Sequence, residues 1–205
     1  MPYKKFKKLE TLQTSFGINE ITSAWLPKNI SAQTATETLL FDLEEAKRTV
    51  ITTKKAKSEY IVVPVLKELR RSRTQKFSTY SGCKFNVNSK IGLNGFCDFI
   101  LSSEMNKIEL TMPIISIVEA KDAEIQKSLA QCGAEMYAIH LFNEQQGKPR
   151  KAIYGCVTNA FLWCFMKLEN KNLFIDPDYI PLTFANPNEV LAVWQWVLDK
   201  SLANE

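Results

Sequence analysis

Histidine is almost missing: His140 is the single one in 205 residues. That excludes multi-histidine metal centres and leaves His140 as the one imidazole available as a base. A boundary position on a helix is the plainer expectation for it. CxxC pairs are missing as well. Cys83, Cys97, Cys132, Cys156 and Cys164 are odd in number and widely spaced. They read as buried free thiols in a reducing compartment, not as a zinc or disulfide framework. No apolar stretch reaches the length of a membrane span, and MPYKKFKKLETLQ lacks the apolar run of a signal peptide. The expected location is therefore cytoplasmic, with no membrane partner. Repeats, heptads and low-complexity tracts are also missing. Excess charge is small, at +4, which permits an anionic partner such as nucleic acid without demanding one.

What is present suits one domain with terminal additions and a core of normal size. Residues 1–56 read as a helical and irregular extension, 57–180 as the core, and 181–205 as a helical tail packed on it. In the extension, Lys4, Lys5, Lys7 and Lys8 alternate with Tyr3, Phe6 and Leu9, as a basic arm or a solvated face would. Residues 18–35 read as irregular or as a short helix and loop, anchored by Trp25. Leu39, Leu40, Leu43 and Ala46 mark a helix over 36–50. A second helix is expected over 57–71, capped by Ser58, with Pro64 in its first turn. Its end, with Lys67, Arg70, Arg71 and Arg73, suits the helix dipole or a phosphate contact.

Three strands follow. The first covers 77–85 and is bulged near Gly82; the next two carry Asp98 and Glu119 and turn at SSEMNK. Asp122 can cap the clearest helix, 123–142. Its small residues, Ala130, Gly133, Ala134 and Ala138, allow close approach to a sheet. A strand at 151–158, with Gly155 at a close contact, comes next. A hairpin turning at Glu169, Asn170 and Lys171 follows it. A last helix faces Leu191, Trp194, Val197 and Leu198 inward. The connection from the Glu119 strand to 151–158 is long enough for a parallel crossover. The expected class is α/β: a mixed central sheet flanked by helices.

The chemistry concentrates in residues 91–121, IGLNGFCDFILSSEMNKIELTMPIISIVEAK. Charges in such apolar strands need a partner, a metal or water. Glu119 and Lys121 stand two apart and project to one face. Two carboxylates with a backbone carbonyl and waters suit Mg²⁺ or Mn²⁺. Such an ion polarises a phosphodiester oxygen and lowers the pKa of bound water. Lys121 is placed to orient or activate that water or to balance charge. Glu59 begins the preceding helix. Gln131 and Glu135 lie four apart on one helix face, and Gln131 can both donate and accept. The plainer alternative is that Glu119 and Lys121 merely pair.

GFCDF, then IVEAK, then a helix with Gln131 resembles the PD-(D/E)xK nuclease superfamily of restriction enzymes and RecB-type nucleases. SEYIVVPVLKELRR, YSGCKFNV, LNGFCDFILS, QCGAEMYAIHLFN and IYGCVTNAFLWCF are also similar to a group of bacterial, largely cyanobacterial, proteins over about residues 57–170. The resemblance implies a restriction-endonuclease-like αβββαβ core. Asp98 and Glu119 match the metal-binding acids and Lys121 the catalytic lysine. Glu59 matches the glutamate of the first core helix. Gln131 matches the helix glutamine of the RecB-like branch, although Glu135 stands where that branch has tyrosine. The implied activity is Mg²⁺- or Mn²⁺-dependent hydrolysis of DNA to 3′-OH and 5′-phosphate ends, with RNA left open as a substrate. The alternative is a non-catalytic nucleic-acid-binding or protein-interaction module with a nuclease-like fold. Such a module could act as a homodimer or within a larger DNA-processing assembly.

Overall fold

The computed structural model describes residues 3–74, 77–105, 107–110, 113–121 and 124–203. Its strands are β1 Asn19–Thr22, β2 Ser78–Lys84, β3 Phe96–Ser102, β4 Ile114–Ala120, β5 Ala152–Thr158, β6 Leu162–Glu169, β7 Asn172–Ile175 and β8 Ile180–Pro181. Seven of them join in the order β1-β7-β6-β5-β4-β3-β2, and β8 pairs off β6. The helices are α1 Glu10–Phe16, α2 Glu37–Lys47, α3 Lys54–Lys57, α4 Val63–Arg71, α5 Gln126–Gln145 and α6 Asn188–Ala203. The protein is thus an α/β molecule with an open, mixed, eight-stranded sheet between helices.

Strands β2, β3 and β4 form an antiparallel meander. Helix α5 then carries the chain over to β5, which runs parallel to β4. Every residue of β4 and of β5 is buried, as expected where helices cover both faces. One core, with Leu43, Leu69 and Trp194, lies under α2, α4 and α6. The other, with Leu12, Met136 and Leu173, lies under α1 and α5. Close approach on the α5 side depends on two glycines. A Cβ on Gly133 would stand 2.7 Å from Leu12, and one on Gly155 would stand 2.6 Å from the Met136 sulfur.

Several expectations are corrected. Residues 19–22 form β1, parallel to β7; four residues are too few to show a strand period. The helix expected from 57 begins earlier, because the Thr53 side chain accepts the Ala56 N–H and Ser58 lies inside. Pro64 has no N–H to give. The chain meets this with a π turn over Ser58–Val62, where the Val63 N–H bonds back to the Ser58 carbonyl. Regular α geometry then resumes with Pro64 in its first turn. Leu40, placed in the α2 stripe, is exposed. Helix α5 starts at Gln126 and is buried through most of its length; the cap expected at Asp122 lies outside the described residues.

Other expectations hold. Tyr3 and Phe6 are buried while the four lysines between and after them are exposed. Asn170 and Lys171 both have positive φ, the signature of a two-residue hairpin turn. Trp25 packs on Tyr154 and Trp196. His140 is half-buried beside Glu144. The five cysteines are free, four of them buried. Among the described residues no helix is long and apolar enough to cross a membrane.

The basic end of α4 is largely committed to the fold. Arg73 is buried and reaches Asp199 at 2.7 Å. Arg70 donates to the Phe77 carbonyl, and Arg71 pairs with Glu68. Lys67 is exposed.

Candidate functional site

Backbone pairing between β3 and β4 runs from Ser102↔Ile114, across a bulge, to Phe99↔Val118 and then stops. At that point the Asp98 side chain takes over the role of a strand partner, its Oδ2 accepting the Ala120 N–H at 2.9 Å. The pleat also changes phase here. Ile100 belongs to the α5-side core, and Phe99 and Leu101 to the opposite one. Strict alternation would send Cys97 with Phe99, yet Cys97 lies in the α5-side core. The register sets Gly82 across from Asp98, and Gly82 has φ +61°, a conformation glycine adopts readily. The phase change turns Asp98 toward α3, where Lys54 Nζ meets its Oδ1 at 2.6 Å.

Glu119 turns the other way, toward α5, and is 1 % exposed. Lys121, just beyond β4, is held by its backbone N–H on the Thr158 carbonyl. Its Nζ lies 2.5 Å from Glu119 Oε1 and donates to Gln131 Oε1 at 3.1 Å. Gln131 Nε2 donates to Glu119 Oε1 at 2.8 Å and to Glu135 Oε1 at 2.9 Å. One amide therefore clamps two carboxylates and a lysine. Among the described residues, the second oxygens of Glu119 and Glu135 are buried without a hydrogen-bond partner.

Electrostatics follow from this enclosure. Burial first, and the Asp98 charge second, push Glu119 above the ordinary carboxylate range against the pull of Lys121. Burial and then repulsion from Glu119 push Glu135 up well above it. Burial pulls Lys121 down, but Glu119, with Asp98 and Glu135, together outweigh it and the net shift is upward. Lys121 is thus a fixed ammonium at neutral pH.

The structure brings Glu119, Lys121 and Gln131 into one network and sets Asp98 against the backbone of the same strand. Glu59 stands apart from that network. It is exposed on the π turn, 3.8 Å from Lys55, and lines a cavity of about 400 Å³ with Asp98 and Lys54. One participant was not legible as such. Lys54 lies ahead of the expected helix start, and Thr53 as a cap was the signal that would have included it. Glu135, set with Gln131 on one helix face by their four-residue spacing, is buried in the network.

In donor type the residues suit a hard divalent cation: two carboxylates, one with a buried unpartnered oxygen. Among the described residues, no three His, Cys, Asp or Glu side chains gather closely enough to hold a metal. Asp98 and Glu119, the two acids expected to share an ion, turn to opposite sides of the strand end, Asp98 to Lys54 and Glu119 to Gln131. No family model and no curated protein matches this chain.

Proposed function

We propose that the protein hydrolyses phosphodiester bonds of DNA with Mg²⁺ or Mn²⁺, on a restriction-endonuclease-like αβββαβ core. The run α3–α4, β2, β3, β4, α5, β5 supports the core assignment. The observation that carries the activity is the buried, unpartnered Glu119 Oε2 in a network whose other carboxylate oxygen already holds an ammonium. A buried anion with a vacant oxygen costs several kcal/mol on the scale of ion desolvation unless something completes it.

Glu119, together with Asp98 once its carboxylate leaves Lys54, would hold the ion, which would supply Lewis-acid polarisation of the phosphate and a more acidic water. The chain's own part is positional and electrostatic. Lys121, kept protonated, is a donor for the charge that develops on phosphate oxygens and not a general base. Gln131 fixes both Lys121 and Glu119, so neither has to reorganise when substrate arrives. Glu59, exposed at the cavity rim, adds negative charge beside Asp98 without touching the network.

A second reading has its own observation. Both Asp98 oxygens are engaged, one by Lys54 and one by the Ala120 N–H, as in a fold that binds partners without cutting them. Calorimetric Mn²⁺ titration, with cleavage assays on single-stranded, duplex and branched DNA and on RNA, separates the two. Metal binding lost in Asp98→Asn, together with metal-dependent cleavage, is the expected result. No bound metal and no cleavage of any substrate would leave the non-catalytic module, alone, as a dimer or within a larger DNA-processing assembly.

A further inference from the structure

Strand β3 leaves one large apolar side chain in water beside Asp98. Phe96 is 59 % exposed, and its cross-strand partner is the exposed Lys84. Phe96 lies two residues before Asp98, so the pleat sets both on the same side of the strand, opposite to the buried Cys97.

A trough follows edge strand β2 along α3 and α4; Phe96 and Lys84 lie outside its lining, just past its Asp98 end. Its first hollow, about 400 Å³, is lined by Lys54, Lys55, Ser81, Gly82 and Asp98. Its second, about 420 Å³, is lined by Lys67, Arg70, Ser78, Tyr80 and Lys107. Val63, Ser81 and Phe99 belong to both, so the two are continuous. The β2 side carries small residues and hydroxyls, and cations outnumber the acids Asp98 and Glu59. That charge pattern matches a polyanion. An exposed ring paired with a lysine across the strand matches the stacking platforms on which unpaired bases rest. A base inside a duplex has both faces covered by its neighbours and offers none to Phe96. Each hollow has the volume of a site for a small organic group.

We infer that the trough takes single-stranded DNA, with one base stacked on Phe96 and phosphates on Lys84, Lys55 and Lys67. This names the strandedness of the substrate, and it rests on the phosphodiesterase reading for DNA over RNA and for what Asp98 then does. Binding is measured on the full chain in EDTA, by anisotropy of a labelled oligothymidylate, an oligouridylate of equal length and a blunt duplex. The oligothymidylate binds most tightly. Phe96→Ala weakens it about tenfold and Phe96→Trp restores it. Lys84→Ala lowers the salt slope by about 0.7. Thermal melting of each variant checks that it is folded.

Equal binding of Phe96→Ala and parent, or a duplex or oligouridylate bound as tightly as the oligothymidylate, overturns the inference. If that happens while duplex DNA is still cut with Mg²⁺, the phosphodiesterase reading stands alone. If oligothymidylate binds as expected and no metal yields cleavage, the single-strand site stands and the catalytic reading falls.

Discussion

The two sides of the β3–β4 end are built on opposite terms. Toward α5, Glu119, Lys121, Gln131 and Glu135 interlock in a largely buried space through shared hydrogen bonds. Toward α3, Asp98 and Lys54 meet at partly exposed positions beside an open cavity. Burial strengthens electrostatics on the first side and makes any unpaired charge there expensive. Solvent weakens both effects on the second. The closed side can hold charge in a fixed place; the open side can admit and release a ligand. A catalytic strand end needs one of each, and the difference can be broken from either side.

The largest effect is expected from the closed side. Lys121→Ala removes the ammonium paired with Glu119 and lowers kcat for metal-dependent cleavage by about 10²–10³-fold. Oligonucleotide affinity in EDTA stays near that of the parent, so the loss is read in kcat and not in KM. The open side should answer in the other direction. Lys54→Met frees Asp98 Oδ1 and raises Mn²⁺ affinity several-fold by calorimetry. The exchange costs under about 1 kcal/mol of stability, since the lost ion pair is partly exposed.

A smaller effect tests the electrostatics of enclosure. The Glu135 carboxyl is raised in the folded protein. The native state therefore holds its proton to higher pH than the unfolded chain does, and stability is lost as pH rises through the raised value. Glu135→Gln removes that loss while keeping the side-chain shape. The melting temperature of the variant minus that of the parent should be near zero at acid pH and grow to a few degrees by pH 8. A difference independent of pH would mean that Glu135 ionises normally. The smallest effect belongs to Glu59, which is exposed and pairs only with Lys55. Glu59→Gln should change stability by less than about 0.5 kcal/mol and cleavage by less than tenfold; a larger loss of cleavage would move Glu59 into the site.

The same contrast explains what could be read from the sequence. The α5 side follows from local rules. The apolar runs of β4 and β5, the small residues of α5 and the spacing of Glu119, Lys121 and Gln131 each carry their own signal. The α3 side depends on two irregularities that no periodicity announces. One is the change of phase at Gly82 and Asp98, which decides which face an aspartate takes. The other is the early start of the helix at Thr53, hidden because Pro64 draws attention to a later one. β1 escaped for a third reason: four residues pairing with β7, more than 150 positions away, are specified by the partner strand.

The π turn over Ser58–Val62 has a consequence for how the two halves of its helix are indexed. One surplus residue advances an α-helix by about 100°. It acts as a vernier between Lys54, which must meet Asp98, and Leu66 and Leu69, which must meet the core. Shortening that loop of backbone by a single amino acid would leave either the ammonium or the leucines pointing the wrong way, with no change in the chemistry of any side chain that remains.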